Sequence, residues 1–187
     1  MSRKTPHIFP WKLPPQTAVF LCMVDKSPQM GYYGGEVTSM TDYTLLIQQL
    51  AALSEGVTSP VTLTANAAAL LYAALPDLNW AGFYRREGEE LILWPFQGKT
   101  ACVRIPRGRG VCGAALAADA TRRVEDVHAF PGHIACDAAS RSEIVVPLHK
   151  EGEVWGVLDL DSPLPGRFTP EDQRGLEEFA KELEKRL

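Results

Sequence analysis

The chain has no cysteines paired at metal-finger spacing. Of its four cysteines, Cys22 stands alone, and the gaps between Cys102, Cys112 and Cys136 are ten and twenty-four residues. Structural zinc sites usually bring ligands in short Cys-x-x-Cys-like pairs, so that class is disfavoured. Long apolar runs are also missing. No stretch approaches the roughly 20 residues that span a bilayer, which argues against a membrane protein. The best run near the N terminus, Ala18-Val-Phe-Leu-Cys-Met-Val24, meets Asp25 and Lys26 at once. No small-x-small cleavage pattern follows it, so a secretory leader is not expected. A basic excess is lacking as well. The formal net charge is −4, which argues against nucleic acid, since its partners present a basic face. Repeats and low-complexity tracts are absent. A cytoplasmic location is therefore the expectation, with thiols held reduced.

What is present is an ordinary globular balance, 45% hydrophobic and 22% charged over 187 residues. That length suits one domain with a tail and needs no disulfide or metal to bury a core. Residues 1–39 differ from the rest. Pro6, Pro10, Pro14, Pro15 and Pro28 interrupt any period, and Gly31, Gly34 and Gly35 continue the irregularity. They read as a poorly ordered extension, and Met40 as a candidate natural start. Intact 1–39 peptide in native protein would contradict that start.

From residue 40 the chain reads as one α+β domain. Helices are expected over about 41–54 and from Ser59-Pro60, a cap followed by proline at the first position, to near Pro76. Strands follow over about 80–86, 90–96 and 101–105. A small helix over about 110–118 and a strand over about 121–125 lead into a loop, 126–140. Next come two strands around Lys150-Glu-Gly152, a glycine-containing turn. The last helix opens at Thr169-Pro170-Glu171-Asp172, with Leu176, Phe179, Ala180, Leu183 and Leu187 as its apolar stripe. This order favours helices on one face of an antiparallel sheet, with the other face free to hold a ligand under loops.

Several residues could carry chemistry. A buried cysteine is often only a small hydrophobe. Three in one 35-residue stretch of a reducing-compartment chain suggest reactive thiols instead. Cys112 sits at the start of the small helix, where the dipole favours thiolate. Cys102 lies near Arg104 and Cys136 near His133, cations that would also lower a thiol pKa. A metal reading could draw on Cys102, Cys112, Cys136, His128 and His133, but their spacing is poor for it. Asp159 and Asp161 alternate onto one face of a strand, and Glu143 precedes the partner strand. Asp161-Ser-Pro could simply end the strand. The functional alternative is a cluster of acids that grips an ammonium, with one acid holding a proton. In Asn79-Trp80-Ala-Gly82-Phe-Tyr84, alternation puts Trp80, Gly82 and Tyr84 on one face. They are core, or a ligand wall if that face is also the acidic one. Gly108-Arg-Gly110-Val-Cys112-Gly113 lacks the Gly-Lys-Ser/Thr ending of a phosphate loop. Its glycines suit a tight strand-to-helix turn.

The motifs taken together carry a resemblance. Asn79-Trp-Ala-Gly-Phe-Tyr84, Pro95-Phe-Gln-Gly-Lys99, Ala101-Cys-Val-Arg-Ile-Pro106, Gly108-Arg-Gly-Val-Cys-Gly113, Gly132-His-Ile-Ala-Cys-Asp-Ala-Ala-Ser140 and Gly156-Val-Leu-Asp-Leu-Asp-Ser162 resemble the free methionine-R-sulfoxide reductases. The similarity runs over about 41–187. It implies a GAF domain, a central antiparallel sheet flanked by helices, and reduction of free L-methionine (R)-S-oxide. It further implies a homodimer, recycling by thioredoxin as external reductant, and no bound cofactor or metal. On that resemblance Cys136 is the nucleophile, Cys102 the resolving thiol, and Cys112 a third cysteine of less settled role. The substrate pocket would map onto Trp80, Glu143, Asp159 and Asp161, with Tyr84 beside Trp80. Arg141 departs from the Asn of many members, at the pocket edge. The competing expectation is a GAF sensor that binds a small ligand without turnover.

Overall fold

The computed structural model describes residues 41–132, 134 and 136–187. The expected extension 1–39, Met40, Cys22 and His133 lie outside the described residues. The elements run α1 (Tyr43–Leu53), α2 (Pro60–Ala74), β1 (Trp80–Glu87), β2 (Glu90–Gly98), β3 (Arg104–Pro106), α3 (Gly110–Ala118), β4 (Arg122–Val124), β5 (Ser142–Lys150), β6 (Glu153–Ser162) and α4 (Pro170–Glu184). A short 3₁₀ turn, Val127–Ala129, interrupts the segment expected to be loop. The third strand starts later than its sequence suggests, because Cys102 and Val103 belong to the approach loop.

Helix starts follow local capping chemistry. Asp42 accepts from the Leu45 amide at 2.9 Å. At α4, the Thr169 hydroxyl and the Asp172 carboxylate cap each other's amides at 3.1 and 2.8 Å, a reciprocal box that satisfies two orphan donors. Asp172 also accepts from Tyr43 Oη at 2.7 Å and from Arg167 at 3.0 Å, which ties α1 to the start of α4.

The sheet is six-stranded and wholly antiparallel, ordered β3-β2-β1-β6-β5-β4. Strand alternation divides the apolar residues between its faces. Ala81, Phe83, Ile144, Val146, Leu148, Leu158 and Leu160 pack against α1, α2 and α4 through Leu46, Leu50, Leu63, Leu71, Leu176, Phe179 and Leu183. Each large side chain buried there contributes about 1.5–3 kcal/mol. The opposite face carries Trp80, Tyr84, Val145 and Val157, with Val111, Cys112, Ala115 and Leu116 of α3. Loops alone therefore do not cover that second face; α3 packs on it and forms one wall of a pocket. A register shift between Leu148 and His149 leaves Trp155 without a direct partner. It turns Trp155 to the helix side, edge-on to Trp94.

Candidate active site

Register assembles the site. β1 pairs with β6 so that Trp80 lies opposite Asp161 and Gly82 opposite Asp159. β5 pairs with β6 so that Glu143 lies opposite Asp161. Directly opposite residues share a face. Three carboxylates and two aromatics thus converge on the side covered by α3. The resulting pocket is lined by Trp80, Tyr84, Cys112, Cys136, Glu143, Asp159 and Asp161, together with Thr100, Ile134 and Ser140. About 30 Å³ inside is open to water, room for about one or two molecules and too little for an amino acid.

Trp80 owes its place to a glycine. A Cβ at Gly82 would sit 2.3 Å from Phe96 Cβ and 2.7 Å from Trp80 Cη2. With no side chain there, the indole lies flat on Phe96, with centroids 5.3 Å apart, and stacks on Tyr84 at 5.8 Å. Its Nε1 donates to the Lys99 carbonyl at 3.1 Å. The core and ligand-wall readings of Trp80 coincide: it is 3% exposed and lines the pocket.

Cys102 and Cys136 form a disulfide with their Cα atoms 5.5 Å apart. It joins the β2–β3 loop to the loop before β5, over the pocket. Polar contacts that the sequence did not reveal hold the same loops. Asn79 Nδ2 donates to Asp137 Oδ2 at 3.1 Å and to Ser140 Oγ at 2.9 Å. Asp137 accepts from the Ala139 amide at 2.9 Å and faces Lys99 Nζ at 3.5 Å. The amide bond, Asn79 and Lys99 hold the Asp137 carboxyl below the usual range. Ile134 fills the space beside Gly110, whose φ is +61°. Only the Asp-x-Ala turn at 137–139 left a local trace in the sequence. Of the donors suggested for metal, Cys102 and Cys136 are joined to each other, and His133 lies outside the described residues.

One expectation about thiol acidity fails. Arg104 pairs with Glu90 at 2.9 Å across β2 and β3. Cys112 does lie in the first turn of α3, but its thiol pKa is raised, not lowered. Burial is the largest cause, followed by the nearby Asp159 and Glu143 charges. A helix terminus is worth about 0.3–1 kcal/mol, whereas removing an ion from water costs several.

The acids are displaced in the same direction. Burial pushes Asp159 up to about 7. Glu143 is raised by burial and then by Asp159 and Asp161. Asp161, partly exposed, is raised by burial and Asp159. Asp159 Oδ1 has no hydrogen-bond partner. Buried carboxylates left short of partners demand a cation or a proton. A compact ligand with an ammonium and a polarisable oxygen meets both demands.

The GAF domain family matches residues 59–187. The free methionine-R-sulfoxide reductase of Escherichia coli (strain K12) is 57% identical over 145 residues, 78% of this chain and 88% of that one. The chain belongs to the free methionine-R-sulfoxide reductase family. It is likewise similar to the reduced form of fRMsr of Staphylococcus aureus, with a TM-score of 0.77 and 50% identity over 80% of this chain and 97% of the other. The free methionine-R-sulfoxide reductase of Neisseria meningitidis, solved in complex with its substrate, has a TM-score of 0.75 and 48% identity, covering 77% and 87%. The family fold is the one described above: a GAF domain with helices on both sides of a six-stranded antiparallel sheet.

Proposed function

We propose that this protein reduces free L-methionine (R)-S-oxide to L-methionine by a thiol and disulfide cycle, with thioredoxin as the reductant. One observation carries the reading beyond family membership. A cysteine of a disulfide, Cys136, lines the same pocket as three acids with raised pKa values.

The chemistry follows from these groups. A sulfoxide sulfur becomes electrophilic when its oxygen is protonated. One of Glu143, Asp159 and Asp161, kept neutral by burial, supplies that proton. The Cys136 thiolate attacks sulfur, and the oxygen passes to Cys136. Methionine leaves, and Cys136 becomes a sulfenic acid. The Cys102 thiol condenses with it, releasing water and forming the disulfide. Two thiols of thioredoxin then reduce that disulfide by exchange. No bound cofactor or metal enters any step.

Binding uses the same wall. The remaining carboxylates hold the substrate ammonium, and Trp80 with Tyr84 packs on the S-methyl end. A methionine sulfoxide within a peptide has a neutral amide in place of that ammonium, so it would leave the buried acids uncompensated. The small pocket belongs to the disulfide form. Reduction frees the Cys136 loop and admits the next substrate. A homodimer, a cytoplasmic location and a catalytic unit beginning near Met40 belong to the same reading.

The test couples the protein to thioredoxin, thioredoxin reductase and NADPH. NADPH oxidation is expected with the free R epimer, and none with the S epimer or with N-acetylated substrate. No oxidation with the R epimer would leave the sensor reading in its place.

A further inference from the structure

Cys112 has no step in this cycle. Among the described residues it is the one free cysteine. Its Sγ faces Glu143 Oε1 at 3.8 Å. One donor atom each from Cys112, Glu143 and Asp159 lie within 4.8 Å of one another. These side chains are 3%, 6% and 5% exposed, and Asp159 Oδ1 is unpaired. A buried sulfur and two buried carboxylates, one with an unused oxygen, make a ligand set awaiting positive charge.

We propose that Cys112, Glu143 and Asp159 form an inhibitory site for a thiophilic divalent cation such as Zn²⁺, held by one sulfur and two oxygens with water in the fourth position. A tetrahedral zinc with such bonds places its ligand atoms roughly 3.4–3.6 Å apart. Closing from the present spacing therefore needs side-chain adjustment within the pocket and no change of fold. Binding displaces the thiol proton, and any carboxyl proton, to buffer. Nothing is oxidised or reduced. Sulfur selects Zn²⁺ or Cd²⁺ over Mg²⁺ and Ca²⁺, which require many oxygen ligands or retained waters. The site differs from the donor set first suggested by the sequence, since it draws on neither disulfide cysteine and on no histidine.

The inhibitory consequence rests on the proposed function, because the ion would occupy the carboxylates assigned to the substrate ammonium. Metal binding itself does not rest on it. The test therefore reads binding directly. In a Cys22→Ser background with the Cys102–Cys136 disulfide intact, Cys112 is the chain's one thiol. Titration with Cd²⁺ should develop the ultraviolet absorption of a cadmium–thiolate bond, saturating at one ion per chain. Calorimetry with Zn²⁺ should give the same stoichiometry, with protons released to buffer and no competition from excess Mg²⁺. Cys112→Ser should abolish the absorption and weaken Zn²⁺ by more than about 100-fold, beyond the loss caused by removing a group that only supports a ligand. Glu143→Gln should weaken Zn²⁺ about 10-fold or more while keeping the sulfur. In the reduced Cys136→Ser, Cys102→Ser form, free methionine should raise the apparent Zn²⁺ Kd. Absence of the cadmium–thiolate absorption, or wild-type Zn²⁺ affinity in either folded variant, overturns the site. Binding without competition by methionine overturns the inhibitory role and leaves the metal site standing. Metal binding in a protein that fails the NADPH assay would overturn the reductase reading alone.

Discussion

Gly82→Ala isolates how the sheet shapes the site, because the substitution adds one methyl and removes nothing. Its Cβ would fall 2.3 Å from Phe96 Cβ, 2.8 Å from Phe96 Cα and 2.7 Å from Trp80 Cη2. Phe96 is directly opposite Gly82 in the β1–β2 ladder, so its backbone cannot yield without breaking pairing. The indole is confined as well, by Tyr84 on one side and its bond to the Lys99 carbonyl. Overpacking of this kind costs about 1–3 kcal/mol. With both neighbours held, the upper half of that range is expected, about 2–3 kcal/mol. For a domain of this size that lowers Tm by about 4–12 °C. Trp80 must also tilt, so KM for the sulfoxide should rise at least about 10-fold while Cys136 chemistry in the bound complex changes less. Thermal unfolding, with steady-state NADPH kinetics on the same preparation, reads both effects. An unchanged Tm together with an unchanged KM would refute the claim that Gly82 makes room for Trp80.

Three further outcomes follow. Cys136→Ser should lose turnover completely while the reduced protein still binds methionine in calorimetry; residual thioredoxin-dependent turnover would move the nucleophile elsewhere. His149 contacts Asp119 at 2.8 Å and Glu184 at 3.1 Å; burial alone would lower its pKa, but these bonds hold it above the usual value. Its contribution is therefore complete below pH 6.5 and fades as pH rises through the raised value. At this degree of exposure it is about 1 kcal/mol or less. His149→Gln should be less stable than wild type at pH 5.5 and nearly equal at pH 9; an equal deficit at both would contradict the link. Asp172 is lowered, since its bonds to the Thr169 amide, Tyr43, the Thr169 hydroxyl and Arg167 outweigh burial. Its stabilisation is present above the ordinary carboxylate range and lost as pH falls through the depressed value. Asp172→Asn should cost about 2–3 kcal/mol at pH 7 in denaturant unfolding, with the gap narrowing toward pH 3.

Much of this was legible because it is periodic. Alternation alone placed Trp80, Gly82 and Tyr84 on one face and Asp159 with Asp161 on another strand's face. The glycines of Gly108-Arg-Gly110 placed the start of α3. Register was not legible, and register is what brings Glu143 opposite Asp161. The Asn79–Asp137–Ser140 contacts join residues 58 and 61 positions apart, a separation at which local pattern carries no information. Burial was the other gap. The same helix start that should acidify Cys112 lies under Glu143 and Asp159, and desolvation reverses the sign.

The acid cluster sets stability against function within one site. An Asp raised from 3.8 to about 7 binds protons more tightly folded than unfolded. Its effect on stability therefore has the opposite sign to that of Asp172. Folding loses stability as pH climbs from about 4 to 7, and above that the penalty is fully present. Asp159→Asn is isosteric and removes the charge. It should raise Tm at pH 8 and leave it nearly unchanged at pH 4.5, where the carboxyl is already protonated. The same variant should lose the stabilisation that saturating methionine gives the reduced wild-type protein, because a ligand that binds only the folded state stabilises by RT ln(1 + [L]/Kd). On the proposed function, a ligand that brings an ammonium into this pocket relieves that penalty and gains selectivity from it. If Asp159→Asn proves less stable than wild type at pH 8, the carboxylate is compensated in the free protein and the pocket has no standing demand for a cation.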